Sequence, residues 1–289
     1  MITRLIPLLL LGASLLAPLS AQTIQLIVPS YDYTPGHAYS TIATDIANDG
    51  NIVGGYANSR FPENGYLRLA NGRFRGRIIV PGANFTTVTG INNAGLICGS
   101  WLTEVRHGFF FDGANYTQFD LPGNTNTYVE GVNDAGDFAG IAIDDQGVHT
   151  QFISVGGVIT TFSIPGISDA EVVVQDINNI GQVAGYYLQG IAHGYLRDAD
   201  GTLTYPIDYP VTGASTEILG LNDQGVMVGF YEPPGSDEHA FVVQDGIFIS
   251  YDHPDGSATH FGGINNSGTI CGDYRDAMGN SHGFVARLK

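Results

Sequence analysis

The sequence predicts an all-β protein, a β-propeller of six four-stranded blades, and three observations predict it. One turn motif recurs six times at a period of 41 to 45 residues: Asp45–Gly50, Gly90–Gly95, Gly131–Gly136, Asp176–Gly181, Gly220–Gly225 and Gly263–Gly268. That period suits propeller blades. Each period divides into four short strand signals. The last period lacks its fourth signal, and the segment Thr23–Pro29 supplies one at the other end of the chain.

The elements follow in order within a period. An apolar run such as Thr86–Thr89 leads into Asn-[Asn/Asp]-x-Gly. The Asn or Asp side chain caps such a turn and the glycine takes its left-handed position. The motif asparagines Asn92, Asn133, Asn178, Asn222 and Asn265 are therefore expected to be structural. A second strand follows, as in Leu96–Trp101 or Gln182–Tyr187. The third carries a His-x-aromatic element, as in His107–Phe111. The fourth ends on proline at Pro81, Pro122, Pro165, Pro210 and Pro254. Proline cannot donate to a ladder, so it belongs at the end of an edge strand. A terminal segment that completes the last repeat would close the ring and remove open sheet edges.

The ends and the composition bound the function. Arg4, the apolar stretch Leu5–Leu16 and Leu19-Ser20-Ala21 read as an export signal over residues 1–21, followed by a single domain over 22–289. The apolar stretch is shorter than the roughly 20 residues that a membrane-spanning helix needs. A secreted chain, extracellular or periplasmic, monomeric and with no membrane span after processing, is the expectation. With 11 Lys and Arg against 28 Asp and Glu, and a net charge of −17, the chain is a poor match for nucleic acid. The local cluster Arg68, Arg73, Arg75 and Arg77 reads as a solvated hairpin.

Candidate sites were weighed against the repeat itself. His107, His193, His239 and His282 share one repeat position. Metal ligands must converge on one ion, whereas equivalent positions in a ring diverge, so a structural task repeated four times is expected of them. Cys98 and Cys271 also share a position, where other repeats place Val53, Ala139, Ala184 and Val228. That reads as a small apolar slot holding free buried thiols. Tyr56, Trp101, Tyr187, Tyr231 and Tyr274 end the second strands and border variable loops with Arg60, Glu104, Arg106, Asp144, Asp145, Glu232, Asp237 and Glu238. Packing explains this aromatic set, and a ligand-binding face is the alternative. Asp45 and Asp176 replace glycine in two turns, where paired carboxylates in a channel could bind a cation or do acid–base work. His37, His253 and His260 lie outside the repeat pattern, and His253 and His260, near Asp252 and Asp255, form a small candidate polar site. Asp198–Gly201 is too short of oxygen ligands for calcium, and no cofactor is expected.

The run Gly-Ile-Asn-Asn-x-Gly, then x-x-Gly-x-Tyr, then His-[Gly/Ala]-Phe, then a strand ending Pro-Gly resembles the HAF family of bacterial extracellular repeats. The resemblance covers essentially the whole chain after residue 21. Asn64-Gly-Tyr66 and Thr150-Gln-Phe152 depart from the His-x-aromatic pattern. The resemblance implies an exported repeat protein and brings no activity with it. No nucleophile elbow, zinc-protease helix, phosphate loop or dinucleotide fingerprint is present, and no catalytic residue is assigned. The expected function is a non-enzymatic binding module for a glycan or a surface partner. The alternatives are a polysaccharide hydrolase or lyase using channel or loop carboxylates, and a structural envelope protein.

Overall fold

The computed structural model of the chain describes residues 22–33, 40–58 and 61–289. The export signal read over residues 1–21, with His37 and Arg60, lies outside the described residues. Within them the chain is a β-propeller, and its one helical element is a short 3-10 turn at Asp169–Glu171.

The expected six separate blades are corrected to four. Residues 85–119, 126–162, 172–207 and 215–251 each form a four-stranded sheet in simple antiparallel order. The first and last repeats do not stand apart. They form one eight-stranded sheet, joined by a parallel bridge between Ser40 and Ser281. The reason is local. The segment that completes the last repeat, Ile24–Tyr31, pairs with Ser281–Leu288, and the chain then re-enters the first repeat at Ser40, beside the start of that strand.

The ring closes all the same. Each innermost strand contacts the innermost strand of the next repeat, and Ala258–Ile264 contacts Ser40–Ile46. These strands alternate between buried residues and half-buried ones that face the central channel, as Phe85–Ile91 does. Second strands such as Ile97–Leu102 are buried on both faces, whereas fourth strands such as Val158–Phe162 are mostly exposed. The core lies between neighbouring sheets. Val53, Ile78, Val88 and Phe109, drawn from two successive repeats, form one such cluster.

Each motif residue has a physical task. The Asn92 carboxamide oxygen accepts the N–H groups of Ala94 and Leu96 inside its own turn, and its Nδ2 donates to the Asn133 carbonyl of the next. Asn133, Asn178, Asn222 and Asn265 repeat this bond, the last reaching the Ala47 carbonyl; alanine there has no carboxamide to continue the chain of bonds to Asn92. A complete circle runs beside it, in which the side-chain oxygens of Asn93, Asp134, Asn179, Asp223, Asn266 and Asn48 each accept a backbone N–H from the preceding turn. In the second strand, a Cβ on Gly99 would sit 2.0 Å from the Thr87 carbonyl oxygen and 2.9 Å from the Phe109 ring. Gly54, Gly140, Gly185, Gly229 and Gly272 are equally confined. In the third strand the aromatic of His-x-aromatic is fully buried at Phe109, Tyr195, Phe241 and Phe284. The small middle residue leaves room for the next repeat: a Cβ on Gly108 would lie 2.7 Å from Val129.

One end point of the sequence reading moves. The N-terminal strand continues past Pro29 to Tyr31 with a register shift, so Asp32 takes the place that Asp120, Asp208 and Asp252 hold in other repeats. Proline is tolerated there because the strand is an outer edge.

Candidate functional site

The channel has two unlike ends. At the narrow end, a polar cavity of about 60 Å³ is lined by the turn circle and by Asp45 and Asp176, three repeats apart. Asp45 accepts the N–H groups of Ile46 and Ile91, and Asp176 those of Ile177 and Leu221. Each carboxylate thus ties its own repeat to the next. Burial pushes both carboxyls above their ordinary range, and the charge of Asp45 raises Asp176 further. Their neighbours at this level must be glycine: a Cβ on Gly131 would lie 2.9 Å from the Asp176 carboxylate, and one on Gly263 2.9 Å from that of Asp45. The neck is closely filled, and these two aspartates clamp it.

The wider end opens into a cavity of about 290 Å³ lined by Thr44, Thr89, Gln175, His260, Asp273 and Arg275, among others. Here the repeats diverge. Cross-strand register makes Ile42, Thr87, Tyr128, Val173, Glu217 and His260 equivalent, and faces them with Gly55, Ser100, Ile141, Tyr186, Phe230 and Asp273. The adjacent inward positions are uniformly apolar, as at Val88, Val129, Val174 and Ile218. Packing dictates the second set but not the first.

On one wall His260 Nε2 lies 3.1 Å from Glu238, its Nδ1 lies 3.4 Å from Asp273, and its ring centroid is 4.5 Å from that of Phe230. Burial opposes charge on the imidazole, but the bonds to Asp273 and Glu238 outweigh it and hold the pKa up to about 9. His260 is therefore a cation at neutral pH. In return, its hydrogen bond holds Glu238 below the ordinary carboxylate range. Beside them Glu217 is pushed up by burial, against a hydrogen bond from Tyr186. On another wall Arg106 Nη1 lies 3.2 Å from Ser100 Oγ, with the guanidinium over the Tyr128 ring at 5.2 Å. Glu130 is pushed up to about 7 by burial, partly offset by the Arg106 charge.

The residues singled out from sequence fall into separate groups. Tyr56, Tyr187, Tyr231 and Tyr274 are buried between neighbouring repeats and offer no open face to a ligand. Tyr209 stacks on Tyr231 at 3.5 Å, and His253 on Tyr274 at 3.8 Å. Trp101 is half-buried with its ring 4.7 Å from His107. The repeat histidines sit across the ladder from these aromatics. His107, His193, His239 and His282 meet Asp120, Asp208, Asp252 and Asp32 at 2.6 to 2.9 Å. His253 and His260 do not form one site: His253 bonds the Pro29 carbonyl, while His260 enters the mouth. Of the variable-loop residues, Arg106 reaches Ser100 and Tyr128, and Glu238 reaches His260, at the level of the mouth. Asp144 caps its own turn, and Asp198–Gly201 is a hairpin turn. Cys98 and Cys271 are free and buried. Among the described residues, no group of three or more His, Cys, Asp and Glu side chains is placed to hold a metal ion.

Sequence reasoning missed Glu130, Tyr186, Glu217 and Asp273. The available signal was their disagreement: three residues before the turn glycine or aspartate, and at the second-strand position that holds Tyr186 and Asp273, the six copies share no residue type, and one residue before that glycine or aspartate only Thr44 and Thr89 agree.

Fold and site together define a β-propeller with a clamped neck and a polar, non-repeating mouth. No family model and no curated protein sequence matches the chain. Solved structures share the fold. A TolB-like protein of Agrobacterium tumefaciens superposes with a TM-score of 0.59 at 14% identity, covering 93% of this chain and 98% of that one. The fucose-specific lectin of Aleuria aurantia gives 0.55 at 10% identity, with 90% and 96% covered. An oligogalacturonate lyase in complex with manganese gives 0.53 at 15%, with 91% and 82% covered. At these identities the likeness is one of fold. Among the described residues, no helix is long and apolar enough to cross a membrane.

Proposed function

We propose that this chain is an exported binding module that receives the end of a glycan in the wide mouth of its channel. The observation that carries the reading is the divergence of the repeats at the mouth. Six copies that agree wherever packing decides differ where side chains face the open cavity, and there they assemble donors and acceptors. His260, Glu238, Asp273, Glu217 and Tyr186 form a wall suited to hydroxyl groups, and Phe230 and Tyr128 add ring faces. Few polar groups placed on a rigid scaffold are what a small-ligand site requires. The Aleuria aurantia lectin supports the reading as a fucose-specific protein with the same fold. Export and the HAF-type repeat belong to the same proposal, resting on residues 1–21 and on the repeat motifs.

A glycan array followed by titration calorimetry tests it. Retention of a defined glycan set is expected, with Glu217→Gln weakening binding about tenfold, the effect of one lost charge-assisted hydrogen bond. A folded protein that retains no glycan, or whose binding ignores both Glu217→Gln and His260→Gln, overturns the proposal.

A second reading, an enzyme acting on polysaccharide, is favoured by Glu130. A carboxyl held up to about 7 suits general acid–base work near neutral pH. Turnover of the bound glycan, reduced about a hundredfold or more in Glu130→Gln, would move the assignment to that reading.

A further inference from the structure

We propose that the mouth selects an acidic saccharide, a uronate, whose carboxylate docks on Arg106 while its hydroxyls meet the His260 wall. This deepens the glycan-binding reading and rests on it.

The two cationic walls differ in what already surrounds them. His260 is held between two carboxylates, Glu238 and Asp273, and has little attraction left for an anion. Arg106 makes no such pair: among the described residues, the carboxylate ion pairs within 4.0 Å all involve histidine, and Glu130 feels the Arg106 charge only from farther away. Its side chain is instead positioned by neutral groups. Nη1 lies 3.2 Å from Ser100 Oγ and 3.5 Å from Thr87 Oγ1, and the guanidinium lies over the Tyr128 ring. Its backbone N–H is tied to the Asn126 side chain, which fixes the root of the residue.

A guanidinium has five donors and no acceptor. With Nη1 turned to the hydroxyls, the remaining edge is free to pair with a planar carboxylate, whose two oxygens match the guanidinium fork. Thr87 and Tyr128 are the register equivalents of His260, so the groups that position Arg106 stand at the same level of the channel as the His260 wall. The site is therefore polarised, with anion recognition on one side and hydroxyl recognition on the other.

Glu130 adds a pH signature. It faces Arg106, Tyr186 and Cys98, and burial keeps both the phenol and the thiol neutral. Below about pH 7 Glu130 is protonated and does not compete for Arg106. Above it, the ionised carboxylate repels an incoming uronate. Binding of the anion is then coupled to proton uptake, and affinity falls as pH rises.

The test is titration calorimetry of the full chain with trigalacturonate and with neutral galactotriose, at about pH 5.5 and about pH 8. At the lower pH the acidic trisaccharide is expected to bind about tenfold more tightly. Arg106→Gln should bring the two affinities together, and Arg106→Lys should recover part of the difference, since lysine keeps the charge and loses the fork. Glu130→Gln should hold the preference up to the higher pH. Equal affinities in the wild type, or a preference that survives Arg106→Gln in a variant that still unfolds cooperatively, overturn this proposal alone. Binding of neither saccharide, nor of any glycan on the array, takes the binding-module reading down with it.

Discussion

Replacing Glu130 by glutamine keeps the size and a hydrogen-bonding head at the mouth but removes the titratable proton. In the folded chain the Glu130 carboxyl lies at about 7 against an ordinary 4.5, because burial penalises its charge more than Arg106 favours it. The folded state thus holds a proton that the unfolded chain releases. Stability from this group is complete below about pH 4.5 and drains away as pH rises towards about 7. At 1.36 kcal/mol per decade the loss is about 3 kcal/mol, and the half-buried position of the residue reduces it to about 2. The assay is urea denaturation of wild type and Glu130→Gln at about pH 5 and about pH 8. The wild type should lose about 2 kcal/mol more than the variant between the two conditions. The comparison cancels every other titrating group that the substitution leaves alone. A companion variant sharpens it: Arg106→Gln removes the charge that holds Glu130 down, so its loss should continue to higher pH. Parallel pH profiles for wild type and Glu130→Gln would refute the assignment of a protonated, desolvated carboxyl at this point.

Three further outcomes follow from the frame. Gly99→Ala forces a methyl group against the Thr87 carbonyl and the Phe109 ring, so a loss of about 3 kcal/mol or more is expected. A change under about 0.5 kcal/mol in chemical denaturation would show that the strands relax freely. Asn222→Ala removes an acceptor for Gln224 and Val226 and a donor to Asn265, and should cost about 2 to 3 kcal/mol. An unchanged melting temperature would mean that the turn circle contributes nothing. Cys98 and Cys271 should resist alkylation in the native protein and both react in denaturant without reductant. Mass spectrometry that finds neither modified under denaturing conditions would show them to be joined.

Much of the frame was legible because the same physical problem is solved repeatedly. The Asn turn, the second-strand glycine and the buried third-strand aromatic recur since each repeat must pack on its neighbour in the same way. The shared repeat position of His107, His193, His239 and His282 implied one task repeated four times, and the structure finds each of them against an aspartate. The second-strand aromatics were legible as a set, but not their burial. Whether Tyr231 faces a ligand or lies under Tyr209 depends on a contact between repeats that no local pattern displays.

By itself, then, the sequence determined the strand-and-turn composition, the number of repeats, the completion of the last one by the N-terminal segment, and the free thiols. All of these depend on short-range spacing or on equivalence between copies. Only the tertiary structure decided three things. It merged the first and last repeats into one sheet, because Ser40 and Ser281 meet only when the ring closes. It turned Asp45 and Asp176 from a candidate binding pair into clamps, because the N–H groups of Ile91 and Leu221 come from the next repeat. And it gathered Arg106, Glu130, Tyr186, Glu217, Glu238, His260 and Asp273 into one mouth. These residues come from different repeats, far apart in the chain, and no spacing rule joins them. The closed ring buries Glu130, Tyr186 and Glu217 and sets Glu238 against His260, and this is what moves the proton affinities of these five groups.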